Sequence, residues 1–351
     1  MGGADGVNLD VLAAWMDAQG LGAGKVRVVE RLAGGTQNIL LLLERDGRRY
    51  VLRRPPIHLR ANSNETMRRE ARVLRALAGS DVPHAHLIAA CPDETVLGAA
   101  FYLMEPVSGF NANSGLPQTH HSASVQHAMG LSLVDALAAL GRLDPAERGL
   151  ADFGKPEDFL ARQAPRWLGQ LGGYAQLAGW PGPQALGDVE AVARWLGANR
   201  PADFTPGLMH GDFHTANVMF RLDGPEVASI VDWELATLGD PLLDLGWLLA
   251  TWPEPDDPGF MALEPWIGFP SASELIDRYA AGGARGVTAI GWYAVLACFK
   301  LAILLEGTYA RACAGQADVD LGERLHGRAG WLLNRARRWI AQDRFQLGKA
   351  A

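Results

Sequence analysis

The hydrophobic texture of this chain turns mainly helical from about residue 107. Before that point apolar residues come in short strand-like runs separated by glycine-bearing turns. After it they recur at three- and four-residue helical steps. "KVRVVERL" and "NILLLLE" are β-rich and flank "AGGTQ", and the second run meets "RYVLRR" across "RDGR". Asp-Gly is a strong hairpin signal because glycine accepts a positive φ. "SNETMRREARVLRALAG" breaks the series with a helix. Ser63 or Asn64 is expected to cap it, Met67, Ala71, Leu74 and Leu77 form its apolar stripe, and Gly79 ends it. "HLIAAC" and "AAFYLMEPV" read as two more strands. Six or more helical segments follow, from "SVQHAMGLSLVDALAALGRL" to "LGERLHGRAGWLLNRARRWIA". The expected class is α+β, with a β-rich region over 1–106 and a helical region over 107–351.

A chain of 351 residues with 20% charged side chains is an ordinary globular sequence with room for two lobes. A net charge of −7 lacks the basic surplus of a general nucleic-acid binder. Cys91, Cys298 and Cys313 are widely spaced, as expected of free thiols in a reducing cytosol. The N-terminus has acids where a signal peptide has a basic start. The most apolar stretch, "AIGWYAVLACFKLAILLEG", contains Lys300 and Glu306, so a buried core helix is expected there, with no membrane span. Oligomeric state is not legible.

The most concentrated chemistry is "LMHGDFHTANVMF", which puts His210, Asp212, His214 and Asn217 within eight positions. "ANVMFRL" and "VASIVDW" flank "DGPE" and read as a small hairpin inside the helical region. A hairpin brings its ends together, so Asp212, Asn217 and Asp232 are expected to converge. Their oxygens suit Mg²⁺, which commonly shares its shell with substrate phosphates. A phosphoryl transfer also needs one carboxylate to orient a hydroxyl and take its proton. The spacing from Asp212 to Asn217 matches that of H-R-D-L-x-x-x-N in kinases.

"HGDFHTAN" followed by "VDWE" resembles the catalytic signature of the aminoglycoside phosphotransferase and choline kinase group of kinase-like enzymes. "RLAGGTQN", "YVLRRPP", "REARVLRAL", "FYLMEPVSGF", "GDPLLDLGWLL" and "WYAVLACFKLAILLEGTYAR" occur in the expected order. The later segments resemble bacterial phosphotransferases related to the kinase-like domain fused to acyl-CoA dehydrogenases. The resemblance implies a bilobal protein-kinase-like fold, with ATP and Mg²⁺ as cofactors and a hydroxylated small molecule as acceptor. It implies Asp212 as base, Asn217 and Asp232 as metal ligands, and His210 as a support of the loop. Arg53 stands where protein kinases place a phosphate-binding lysine, and Glu70 is its helix partner. Gly34, Gly35 and Thr36 would cover the phosphates. Met104, Glu105 and Val107 would line the adenine hinge.

Other readings attach to the same residues. His210 and His214 beside Asp212 resemble a metal-hydrolase cluster, but no further histidine motif accompanies them. Asp240 and Asp244 are expected to brace the catalytic loop, with Asp240 also at a helix start. "GLGAGK" lacks the Gly and hydroxyl positions of a Walker A loop. Glu254, Asp256, Asp257 and Glu264 would suit a polycationic aminoglycoside, or a solvated face. Lys300 and Arg311, eleven residues apart on one helix, would suit a carboxylate or a CoA phosphate, or be structural. A hydroxyacyl-CoA acceptor, an aminoglycoside acceptor and a non-catalytic nucleotide-binding module are the three outcomes to separate.

Overall fold

The computed structural model describes residues 6–32, 38–59, 61–254, 257 and 263–343. Strands β1 (Arg27–Arg31), β2 (Ile39–Arg45), β3 (Arg48–Arg54), β4 (Leu87–Cys91) and β5 (Phe101–Met104) form one antiparallel sheet in the order β1-β2-β3-β5-β4. The Asp-Gly turn is as expected, with Asp46 and Gly47 both at positive φ. Strand alternation sorts side chains to two faces. Leu41, Leu43, Tyr50 and Leu52 bury against helix α1 (Leu9–Ala18), in a core shared with Leu12 and Met16. Arg45 lies on that face, fully buried, and donates to the Ala13 and Gly24 carbonyls at 3.1 Å each.

Helix α2 (Ser63–Leu77) covers the other face and belongs to the larger core, through Met67, Ala71, Leu74 and Leu77. Its cap differs from expectation. The N-cap is Asn62, without a side-chain cap bond, and the Asn64 side chain accepts the Ala100 backbone N–H at 3.0 Å instead of capping the helix. Cationic side chains of α2 reach across to the helical region. Arg69 donates to the carbonyls of Phe153 and Ala236 at 3.1 and 3.0 Å and lies 4.0 Å over the Phe153 ring. Arg72 pairs with Asp152.

The helical region contains α4 (Ala123–Gly141), α5 (Phe159–Gly173), α6 (Val189–Ala198), α7 (Leu242–Thr251), α8 (Ala272–Ala281), α9 (Ile290–Cys313) and α10 (Val319–Gln342); the one-turn α3 is Glu94–Leu97. Helix α9 is the central post. Trp292, Leu296, Phe299 and Ile303 are buried, as their spacing predicts. Gly246 of α7 lets the two helices approach, since a Cβ there would lie 2.6 Å from the Tyr293 carbonyl carbon. Helices α4 and α9 have the length and apolarity to cross a membrane, yet both are largely buried inside the fold.

Two small sheets sit against these helices. β8 (Val218–Phe220) and β9 (Val227–Ile230) form the expected hairpin, which β6 (Phe110–Asn111) extends to three strands. β7 (Gly207–Met209) pairs with β10 (Thr237–Gly239). These two three-residue strands escape a periodicity argument, and they set the site: one enters the His210 loop and the other leaves the Asp232 loop.

Candidate active site

His210 ties the two loops together. It is fully buried, its Nδ1 accepts the Asp212 backbone N–H at 3.3 Å, and its Nε2 donates to the Val231 carbonyl at 2.9 Å. Its ring packs 4.9 Å from that of Trp233. The Val231 N–H returns to the Asn217 carbonyl at 2.9 Å, and the Ile230 N–H reaches the Pro83 carbonyl at 2.9 Å. The segment leading to Asp232 is therefore fixed from the helical side and from the loop after α2. Asp244 accepts the N–H groups of His210 and Gly211 at 2.6 and 2.8 Å, so it braces the loop as expected. Asp240 does not. It accepts Tyr293 Oη–H and the Leu242 N–H, which anchors the start of α7 instead.

Gly211 has φ +85°, and a Cβ on it would lie 2.5 Å from the Leu235 carbonyl oxygen. Both the left-handed backbone and the contact exclude a larger residue. Gly211→Ala is expected to cost at least about 1–3 kcal/mol from the backbone alone. An unchanged denaturation midpoint for that variant would contradict the loop geometry.

Asp212 and Asn217 meet as the sequence predicts. The Asn217 amide donates to the Asp212 side-chain Oδ2 at 3.0 Å and to its backbone carbonyl at 2.9 Å. Both bonds use the amide nitrogen, so Asn217 Oδ1 is reserved for another partner. Burial works to raise the Asp212 carboxyl. Its interactions with His214, His210 and Lys300 outweigh it, the hydrogen bond from His214 first among them, and hold the group below the usual carboxylate range.

Arg53, Glu70 and Asp232 form the second cluster. Arg53 follows Leu52 on β3 and so faces α2, while Arg54 turns to the α1 side. Its guanidinium lies 2.8 Å from Glu70 Oε2 through Nε, and Nη2 lies 3.1 Å from Glu70 Oε1. The same Nη2 reaches Asp232 Oδ1 at 2.7 Å. Tyr102 donates to Glu70 at 2.7 Å. Burial alone would disfavour the cation, but Glu70, Tyr102 and Asp232 outweigh it and raise the Arg53 pKa. Asp232 sits at φ +66°, the turn that aims its carboxylate back toward Arg53.

Glu234 was not legible as a site residue from the sequence reading, although it lies two positions after Asp232 in "VDWE". Oxygens of Glu70, Asp232 and Glu234 lie within 4.8 Å of one another, a group able to hold a metal ion. Glu70 is committed to Arg53 and Tyr102, and Asp232 Oδ1 to Arg53, which leaves Glu234 and Asp232 Oδ2 as the available hard donors of this group. Burial and the charges of Asp232 and Glu70 push Glu234 up to about 6. The donor set fits a small divalent cation. His210 cannot join a metal-hydrolase cluster, because both its ring nitrogens are bonded within the protein.

The hinge differs in one detail from expectation. Met104 is paired within the sheet, with Val51 and Leu87, and the Glu105 N–H is donated to the His86 carbonyl at 2.9 Å. That N–H is spent on the fold, so any hydrogen-bond donor to a base comes from further along, toward Val107. Gly34, Gly35 and Thr36 lie outside the described residues.

The sequence pattern of the phosphotransferase enzyme family matches residues 28–264, more than half of the chain. The chain belongs to this phosphotransferase family. It is 29% identical over 291 residues to the mouse acyl-CoA dehydrogenase family member 10, covering 81% of this chain and 26% of that one. This chain spans less than half the length of the curated relatives it matches. A crystal structure of a candidate aminoglycoside phosphotransferase from Ralstonia eutropha JMP134 is 30% identical, covers 94% of this chain and 98% of its own, and superposes with a TM-score of 0.77. A thermostable mutant of aminoglycoside phosphotransferase APH(4)-Ia, in ternary complex with AMP-PNP and hygromycin B, is 16% identical with a TM-score of 0.57. It covers 89% of this chain and 95% of its own, and shares the fold. The α+β, kinase-like architecture expected from the sequence is therefore that of the phosphotransferase family.

Two cations stand at the Trp167 ring, and one of them also touches the Asp212 loop. Lys300 of α9 is half-buried, donates to the Gly211 carbonyl at 3.1 Å and lies 4.5 and 5.5 Å from the Trp247 and Trp167 ring centres. Arg166, exposed, lies 5.1 Å over the Trp167 ring. Arg311 is out on the surface, bonded to Thr308. Burial lowers Lys300 to about 8, against the pull of Asp212 and Asp244. The unfolded chain thus holds more protons than the native one between pH 8 and the ordinary lysine range, so stability at this site rises with pH there. The wild type should gain on Lys300→Met above pH 8 by at most about 1.4 kcal/mol per pH unit. Parallel stability profiles for the two proteins would contradict the buried charge.

Proposed function

We propose that this protein transfers the terminal phosphoryl group of ATP to a hydroxyl of an anionic small molecule. The nucleotide would sit between the β-rich region, 1–106, and the helical region, 107–351. The observation that carries the reading is the double tie through His210 and Arg53. The first tie brings the Asp212 loop to the Asp232 segment, and the second ties that segment to β3 and α2.

In this reading Asp212 accepts the proton of the acceptor hydroxyl. The hydroxyl oxygen bonds to the γ-phosphorus, the bond from that phosphorus to the β–γ bridging oxygen breaks, and ADP leaves. Arg53 offers a permanent charge and a planar fork to phosphate oxygens. Asn217, Asp232 and Glu234 would hold Mg²⁺, which supplies charge neutralisation on the phosphates. The Met104–Val107 segment, with Glu105, would border the base, and Gly34, Gly35 and Thr36 would lie over the phosphates. Asp244 and His210 hold the loop so that positioning, the main contribution in such reactions, is built in before substrate arrives.

The anionic acceptor is supported by Lys300, bonded to the Asp212 loop at the Gly211 carbonyl, which would repel a polycationic aminoglycoside and attract a carboxylate or a CoA phosphate. The acyl-CoA dehydrogenase names of the relatives point the same way, toward a hydroxylated acyl chain such as a hydroxyacyl-CoA. The aminoglycoside reading rests on the names of the solved neighbours. A cytosolic setting fits an ATP-dependent enzyme whose Cys91, Cys298 and Cys313 are all free thiols.

An acceptor screen read as ADP release decides among these. Hydroxyacyl-CoAs and short hydroxy acids are expected to stimulate release above the water-only rate, and kanamycin and hygromycin B are not. Stimulation by aminoglycosides alone would reverse the acceptor assignment. A thermal shift with ATP and Mg²⁺ but no turnover with any acceptor would make the chain a binding module.

A further inference from the structure

We infer that His214 is a positioning residue for Asp212, acting as a hydrogen-bond donor that fixes the carboxylate. The inference rests on the proposed role of Asp212 as the proton acceptor. His214 opens the short 3₁₀ turn Thr215–Asn217 as its N-cap, and its Nδ1 accepts the Ala216 backbone N–H at 3.2 Å. An accepting Nδ1 in a neutral ring leaves the proton on Nε2. Nε2 lies 3.3 Å from Asp212 Oδ1. The turn cap therefore selects the tautomer that donates to the carboxylate.

Asp212 is then held at both oxygens, by His214 at Oδ1 and by the Asn217 amide at Oδ2. A carboxylate gripped at one oxygen can still swing about its Cβ–Cγ bond, and one gripped at both cannot. The remaining lone pairs keep one direction, which is the requirement for a group that must meet a hydroxyl proton in line with a phosphate. The His214 side chain is 18% exposed and that of Asp212 28%, so both reach the surface where an acceptor would arrive. His214 thus has two functions that one substitution confounds: the cap made by Nδ1 and the donor made by Nε2.

Two isosteres separate them. In His214→Asn the amide oxygen can replace Nδ1 as the cap, but no donor reaches Asp212. In His214→Gln the longer amide can place an N–H near the Nε2 position, while the cap is lost. The probe is ADP release from Mg·ATP with water as acceptor, with kcat and the KM for ATP determined separately and folding checked by thermal melting.

The Asn variant is expected to melt near the parent and to lose about 10- to 100-fold in kcat, the range of one hydrogen bond to a charged group. Its KM for ATP should stay within about twofold, as for an interaction made only in the transition state. The Gln variant is expected to melt lower and to keep most of kcat. A fully active Asn variant with an impaired Gln variant makes His214 a turn cap only and overturns the inference, as does a loss in both that merely follows the folded fraction. If Gln does not fold, the Asn-to-parent comparison of kcat at equal melting decides alone. A parent with no turnover, in water or with any screened acceptor, overturns the proposed function and this inference together. An active parent with an unimpaired Asn variant overturns the inference alone.

Discussion

Asp212→Asn is expected to fold, to bind Mg·ATP with nearly parental affinity, and to turn over about 10²- to 10⁴-fold more slowly. The size follows from what is removed. Asparagine keeps the shape and one acceptor oxygen, so the loop held by Asp244 and His210 has no reason to move. It cannot take a proton at neutral pH. The ties from Asp232 to Arg53 and from Arg53 to Glu70 do not involve position 212, so nucleotide affinity should persist. Single-turnover kinetics and a nucleotide titration on the same preparation check both halves. Parental turnover in this variant would remove Asp212 from the reaction. Loss of nucleotide binding with loss of turnover would place its role in the structure of the cleft instead.

Arg53→Met is expected to have the second-largest effect, and on two quantities at once. Glu70 is 1% exposed and Arg53 6%. Removing one partner leaves a buried carboxylate with Tyr102 alone, and breaking such a pair typically costs about 3–5 kcal/mol. Phosphate binding should fail with it, seen as a large rise in the KM for ATP. A double variant, Arg53→Met with Glu70→Leu, separates the two losses. Apolar replacement of a whole buried pair is often neutral. Stability should therefore return toward the parental value while ATP turnover does not. Recovery of both in the double variant would reduce Arg53 to a structural cation. A single variant as stable as the parent would contradict the buried pairing itself.

The sequence carried the fold at the scale of elements, because strands and helices of this length write their period into the side chains. Arg53 and Glu70 were legible as partners through the family resemblance, with strand alternation choosing Arg53 over Arg54, and the hairpin between Asn217 and Asp232 through "DGPE". What was not legible came from contacts that leave no period. β7 and β10 are three residues each, too short for alternation to register, yet they align the Asp212 and Asp232 loops. Glu234 follows a tryptophan whose burial says nothing of its neighbour, and only the αL turn at Asp232 brings the two acids together. Asn62 rather than Ser63 or Asn64 begins α2, and the Asn64 side chain is recruited by Ala100, a contact between distant segments. Asp240 was grouped with Asp244 because both flank one helix start. Tyr293, fifty-three residues later, claims it. The Glu105 N–H likewise goes to His86, on a strand edge that only the sheet order reveals.

In the proposed function Asn217, Asp232 and Glu234 would hold the divalent cation that neutralises the nucleotide's phosphates. Mn²⁺ in place of Mg²⁺ tests it directly, by titrating free Mn²⁺ with the protein and AMP-PNP while following the metal's electron paramagnetic resonance signal. The parent should bind Mn²⁺ tightly only when AMP-PNP is present, and Asp232→Ala and Asn217→Ala should each weaken that binding at least about tenfold, more than 1.4 kcal/mol. Variants that take up Mn²⁺ as the parent does would show that the cation, if bound at all, is held elsewhere.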